Sequence, residues 1–333
     1  MPSSPGNKPR TRGRKRHARR GTSSTGVKGV SISARKSKVS VKDFSPGFSS
    51  SLRPGEMSNL FPDILAGRSF KRLVESIVTA RRRDKQVIFM LGGHVVKTGV
   101  SPLLIDLLEA DVITGVAMNG AAAIHDLEIA MWGETSEDVE EALADGVFGM
   151  TSETASFMNS AIEDAFKGTQ GMGEALGKAL TSARAPFGKK SLIACCYRKD
   201  VPLTVHVAIG TDVTHQHPDA SGQAIGETSM RDFRLFVSLI EKIRHGVVLN
   251  VGSAVILPEV FLKALAIVRN RGTSFWPLTT ANLDAIQHYR PVKNVVERPT
   301  GIGKGSVGIT LTGHHELMIP LLTASILHRL KRP

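Results

Sequence analysis

Six short stretches hold most of the side chains that could do chemistry: LGGHVVKTG (91–99), MNGAAAIHD (118–126), GTDVTHQHPD (210–219), NVGSAV (250–255), TTANLDAIQH (279–288) and TGHHE (312–316). Seven of the eleven histidines fall in them: His94, His125, His215, His217, His288, His314 and His315. Histidine titrates near neutrality and serves as acid, base or ligand. The glycines Gly92, Gly93, Gly120 and Gly252 let a backbone approach a ligand and leave helix amides free for a phosphate. NGAAAIHD, in which Asn119 and Gly120 lead into small residues at a helix start, is the best candidate for a pyrophosphate. None of the stretches spells GxGxxG.

Asp212, His215, His217 and Asp219 offer imidazole and carboxylate to a divalent metal. Spacing places no further ligand beside the H-x-H pair, so hydrogen bonding to a ligand is the expectation there, with no metal. His314, His315 and Glu316 lack HExxH spacing; His314 and Glu316 are expected to contact a ligand or cap the last helix.

One more residue stands out. Lys304 lies between Gly303 and Gly305 in ERPTGIGKGSVGI, with no other charge within five residues on either side. A Walker P-loop is excluded, because Arg298 holds the place of the first glycine and Gly305 follows the lysine where Ser or Thr is required. A nucleophile, an anion contact and a plain turn remain open.

What positions these loops is a series of strands and helices. KQVIFMLGG, VITGVAMNG, PLTVHVAIGTD, GVVLNVG and SFWPLTTANLD read as strands, and so does SLIACCYRKD, where alternation would send Cys195 and Cys196 to opposite faces. Helices are expected over SPLLIDLLEAD with Ser101 as N-cap, AAAIHDLEIAMWG closed by Gly133, and TSEDVEEALADG with a capping box from Thr135 to Asp138. SETASFMNSAIEDAF, MGEALGKALTSA, SMRDFRLFVSLIEKI, PEVFLKALAIVRNRG and ELMIPLLTASILHRL complete the helical set. Strands alternating with helices of this length imply a doubly wound, mostly parallel Rossmann-like α/β sheet. Ligands bind such sheets outside the carboxyl ends of the strands, where the polar stretches lie.

Composition bounds the rest. The 333 residues are 41% hydrophobic and 22% charged, as in ordinary globular proteins. Lys and Arg number 43 against 30 Asp and Glu, but 13 of the 43 fall in Met1–Lys42, which has no acid. The body is therefore neutral. Residues 1–50 read as a basic disordered tail, the only part suited to nucleic acid, and 57–330 as a single α/β domain. The most apolar segment, VVLNVGSAVILPEVFLKALAIV, is broken by Asn250, Pro258, Glu259 and Lys263, so no membrane span is expected. With two cysteines and no secretory leader, a cytoplasmic location is expected.

In order and content these loops resemble the deoxyhypusine synthase family from about Gln86 to Leu330. The family's Thr-Ser-Asn…Ser-Gly loop is similar to GGHVVKTG, and its Thr-Ala-Gly-Gly…Glu-Glu-Asp segment to MNGAAAIHD, with Asp126 as the last acid and His125 in place of a Glu. Leu-Thr-Asp-Gly resembles IGTDVTHQH through Thr211 and Asp212. The triple-glycine turn resembles VGSAV through Gly252, and Asn-Thr-Ala-Gln-Glu-Phe-Asp resembles TTANLD through Thr280, Ala281 and Asp284. Phe-Pro-Leu-Leu is similar to the closing MIPLLTASIL.

The resemblance implies an NAD-dependent transferase that moves an aminobutyl group from spermidine or a related polyamine to an acceptor amine, working as a homotetramer. It implies cofactor contacts from Gly93, His94, Thr98, Asn119, Gly120, Asp126, Asp212, Gly252, Ser253 and Thr280. Substrate contacts would come from His125, His215, His217, His314 and Glu316, with Lys304 as imine carrier beside Asp284 and His288 as catalytic groups. The sequence departs from the family around that lysine: Ile302 stands where the family has Trp, and the preceding AIQHYRPVKNVVERP is basic where the family is acidic. A hydrolase or metal-assisted enzyme, or a non-catalytic nucleotide-binding oligomer, on the same scaffold are the alternatives.

Overall fold

Parallel strands covered on both faces need side chains that are apolar in both directions, and VIFML at 87–91 is buried at every position. The computed structural model describes residues Ser40–Lys331; most of the basic tail, 1–39, lies outside the described residues. The strands are β1 (Val87–Leu91), β2 (Gly115–Asn119), β3 (Leu203–His206), β4 (Val247–Val251), β5 (Thr279–Asp284) and β6 (Val307–Thr312). They form one sheet in the order β3-β2-β1-β4-β5-β6, and every pair is parallel.

The helices, in chain order, are α1 (Leu65–Arg82), α2 (Gly93–Lys97), α3 (Ser101–Glu109), α4 (Gly120–Trp132), α5 (Val139–Ala144), α6 (Ser152–Lys167) and α7 (Met172–Ser182). Then come α8 (Leu192–Arg198), α9 (Gly222–Glu241), α10 (Ile256–Asn270), α11 (Arg298–Gly301) and α12 (His315–Leu330). Alternation along β1 divides the core. Val87, Phe89 and Leu91 join the apolar faces of α1, α3, α4 and α12, whereas Ile88 and Met90 join Phe236 and Ile240 of α9 and Phe261 of α10.

The strand order reverses between β1 and β4, the switch point of a Rossmann-type sheet. The two loops there touch through backbone. Gly92 donates its amide to the Val251 carbonyl at 2.9 Å, and a Cβ on Gly92 would lie 2.0 Å from the Gly252 oxygen.

Four sequence expectations change. SLIACCYRKD contains helix α8, not a strand: Ser191 caps it by accepting the Ala194 amide at 3.0 Å, so Cys195 and Cys196 are successive buried thiols on one helix. GSVGITLT is the edge strand β6, with Ile309 and Leu311 buried and Gly308, Thr310 and Thr312 exposed, an alternation hidden by the flanking glycines. Val100, not Ser101, holds the N-cap position of α3, and Asp138, not Thr135, caps α5 by accepting the Glu140 and Glu141 amides.

Ahead of residue 57 the chain adds 3-10 turns at Val41–Asp43 and Pro54–Leu60. The 3-10 turn Pro54–Leu60 packs on α12, where a Cβ on Gly55 would lie 2.4 Å from the His328 Cβ. Asp63 donates its amide to the Asp43 carbonyl at 2.8 Å.

Candidate active-site cavity

All the strands deliver their carboxyl ends to one edge. Beside the ends of β2 and β3 that edge holds a cavity of about 510 Å³, whose wall includes Lys97, His125, Glu128, Glu134, Glu137 and Asp212. Four carboxylates against one lysine give its wall a negative balance, which favours positive charge.

The floor is built by α4. Small residues at its start bring it close to α2: a Cβ on Gly93 would meet Ala121 at 3.1 Å and His125 Cδ2 at 3.2 Å. His125 and Glu128 are three residues apart and share a helix face. A hydrogen-bonded group gathers around them. His125 Nδ1 lies 2.7 Å from Thr135 Oγ1, the Thr135 hydroxyl donates to Glu128 Oε2 at 2.5 Å, and Thr154 of α6 donates to Glu128 Oε1 at 3.0 Å. Burial pushes the Glu128 carboxyl upward, but bonds from His125, Thr135 and Thr154 outweigh it and hold the group below its ordinary value. Glu128 is therefore ionised at neutral pH.

Asp212 forms the opposite wall. Its side chain is only 4% exposed, and its Oδ2 has no hydrogen-bond partner. Burial raises its pKa to about 6, against a weak opposing bond from Thr211. His215 comes within 3.9 Å of Oδ2 through Nε2, beyond hydrogen-bond range, and burial lowers its pKa. His217 turns away and donates from Nε2 to the Gly149 carbonyl at 2.9 Å. That bond ties the segment 133–151 to the loop after β3, and Glu137 adds a second tie by accepting the Gly149 amide at 2.9 Å. Among the described residues no three His, Cys, Asp or Glu groups converge as candidate metal ligands.

A second polar locus lies at the switch point. The rings of His94 and His315 are 5.5 Å apart, and a Cβ on Gly252 would sit 2.9 Å from His315 Cε1. The His315 Nε2 faces the Leu283 carbonyl at 3.3 Å and Asp284 Oδ1 at 4.0 Å. Its Nδ1 is buried without a partner, and burial lowers the pKa of the ring. Ser253 is buried there and accepts the Leu257 amide at 3.3 Å. His314, Glu316 and His288 are exposed nearby, at the starts of α12 and of the segment after β5.

Other expected site residues do different work. Asp126 is fully buried and accepts Ser191 Oγ at 2.5 Å, the Leu192 amide at 2.8 Å and the Ile193 amide at 3.0 Å. It secures the start of α8 and cannot reach a ligand. Thr98 donates back to the Val95 carbonyl at 3.0 Å at the end of α2. Thr280 is buried within β5 with its hydroxyl unpartnered.

Lys304 departs most from expectation. It is exposed in the turn entering β6 and therefore belongs to the amino edge of the sheet. The length of the strand, roughly 20 Å at ~3.3 Å per residue, separates it from the carboxyl edge. Trp276 packs against this turn, since a Cβ on Gly303 would lie 1.9 Å from its Cδ1.

Lys97, Glu128, Thr135 and Thr154 were not among the site residues expected from the sequence. Glu128 carried a usable signal, its spacing from His125. Lys97 sits in one of the quoted stretches, whereas Thr135 and Thr154 reach the site only through the folding of 133–154.

No protein-family model and no curated protein matches this sequence. Solved structures do share its architecture. The described LOR/SDH protein of Methanococcus maripaludis S2 is similar at 17% identity over 81% of this chain and 71% of its own, with a TM-score of 0.50. AgrE, in a ternary complex with ornithine and NAD+, is similar at 14% identity over 81% of this chain, with a TM-score of 0.53. The chain spans only 35% of AgrE. A structure described as a deoxyhypusine synthase of Entamoeba histolytica aligns at 11% identity over 84% of this chain and 94% of its own, with a TM-score of 0.46. At these identities the likeness shows the fold, a doubly wound Rossmann-like α/β sheet.

Proposed function

We propose that this chain is an enzyme acting on an amine, bound in the 510 Å³ cavity with its ammonium against Glu128 and Asp212. One observation carries the reading: Asp212, whose buried Oδ2 has no hydrogen-bond donor among the described residues, lines a cavity shared by Glu128, Glu134 and Glu137. An ammonium supplies donors and opposite charge together. The aminobutyl transfer from spermidine implied by the family resemblance is the finer form of this proposal, in a homotetramer. Lys304 is left out of it, because a carrier lysine must touch the substrate.

NAD is the cofactor that the resemblance implies, and the AgrE structure that shares the fold holds NAD+. A pyrophosphate needs free amides and no competing anion at a helix start. The start of α4 does not fit it. Asn119 Oδ1 already accepts the Ala122 amide at 2.9 Å, and the Asp212 carboxylate stands against Gly120.

The test is calorimetry on the full chain with spermidine and with NAD, separately and together, and light scattering for the tetramer. Spermidine binding that is lost in Glu128→Gln supports the amine site. Spermidine binding that is unchanged in Glu128→Gln and in Asp212→Asn overturns it. Absence of NAD binding under all conditions removes the cofactor from the proposal.

A further inference from the structure

We propose that His125 is the proton acceptor of the cavity, held in the tautomer with a bare Nε2 by a hydrogen-bonded chain that runs through Thr135 to Glu128. This rests on the reading of the cavity as an active site, but the tautomer is a property of the protein alone.

The argument is a count of protons. Thr135 Oγ1 lies between His125 Nδ1 at 2.7 Å and Glu128 Oε2 at 2.5 Å. A hydroxyl carries one hydrogen, and an ionised carboxylate can only accept. Glu128 is held ionised by its partners, as its lowered pKa reflects, and its other oxygen is taken by Thr154 at 3.0 Å. The Thr135 proton therefore points to Glu128. The oxygen of Thr135 can then only accept from His125, so Nδ1 carries the ring hydrogen and Nε2 has the free lone pair. Were Glu128 protonated, the chain would run the other way and leave hydrogen on Nε2.

Among the described residues Nε2 has no hydrogen-bond partner, and the ring lines the cavity. A substrate ammonium there can pass one proton to the Nε2 lone pair, leaving a neutral amine and an imidazolium. The new positive charge lies 3.7 Å from Glu128, measured from Nδ1 to Oε2, and is stabilised through Thr135. His125 is thus the catalytic residue of this step, and Thr135 and Glu128 are positioning residues.

Thr135 lies just beyond Gly133, which has φ +79°, in a segment whose helix α5 buries no residue. The relay is complete only while that segment rests on α4.

The experiment is nitrogen-15 NMR of the histidine rings in the full chain, with His125 assigned by its loss in His125→Gln, recorded where the ring is neutral. The expected result is a single tautomer with hydrogen on Nδ1. Thr135→Val should replace it with an averaged pair of tautomers, and Thr135→Ser should restore it. Hydrogen on Nε2 in the unaltered protein, or a Thr135→Val spectrum identical to it, overturns the proposal. A correct tautomer in a protein that binds no amine leaves the relay standing and removes the amine reading; an amine-binding protein with the opposite tautomer does the reverse.

Discussion

Gly120 and Asp212 compete for one space: a Cβ on Gly120 would lie 2.0 Å from Asp212 Oδ2. The glycine that looks like a phosphate cradle in the sequence is there to admit a carboxylate. Gly120→Ala should destabilise the protein by about 1–3 kcal/mol, as overpacking does. In an Asp212→Ala background the penalty should largely vanish. Urea unfolding of the four proteins gives the coupling; strict additivity would mean that the two side chains do not meet.

Asp212 also sets a pH dependence. Its folded pKa of about 6 lies above the ordinary 3.8. Below about pH 4 both states hold the proton and the group contributes nothing. Between about 4 and 6 the folded state keeps a proton that the unfolded state has lost, so stability falls as pH rises. Asp212→Asn should therefore be more stable than the parent by up to about 3 kcal/mol above pH 7, with no difference below about pH 4. A constant difference across this range would contradict the burial of the charge.

Glu128→Gln keeps the size of the side chain and removes its charge. Hydrogen bonds to charged groups contribute about 1.5–3 kcal/mol, so spermidine affinity should drop roughly 10- to 100-fold by calorimetry. Much of that loss should be insensitive to salt, because Glu128 is largely enclosed by His125, Thr135 and Thr154.

Lys304→Ala should leave ligand binding in the cavity within about twofold, since the residue lies on the amino edge roughly 20 Å away. Borohydride treatment in the presence of substrate, followed by mass mapping, should leave Lys304 unmodified. A trapped four-carbon adduct there would restore it as a carrier.

Asp126→Ala removes the acceptor of one hydroxyl and two amides at the start of α8. Stability should fall by about 3 kcal/mol, the scale of leaving buried donors unsatisfied. Affinity for ligands in the cavity should not change at temperatures where the variant is folded.

The sequence by itself determined the architecture. Runs such as VIFML are apolar in both directions, and only a sheet covered on both faces buries them. Glycines after the strands and histidines in the loops pointed to the carboxyl edge, where His125 and Asp212 meet across one cavity. Edge strand β6 was lost among glycines because its alternation is short, and α8 passed for a strand because the short apolar run LIACCY carries no period of its own. What the tertiary structure decided was which polar groups are free. Asp126 and Asp212 look equivalent in the chain, yet one is consumed by the amides of α8, while the other has an oxygen left over. Lys304 lies in the expected interval of the sequence and at the wrong end of its strand. Thr135 comes from beyond the glycine that ends α4, and only folding brings its hydroxyl between His125 and Glu128. Hydrogen bonds act over about 3 Å, a distance that sequence spacing fixes within one helix and that packing alone fixes between elements.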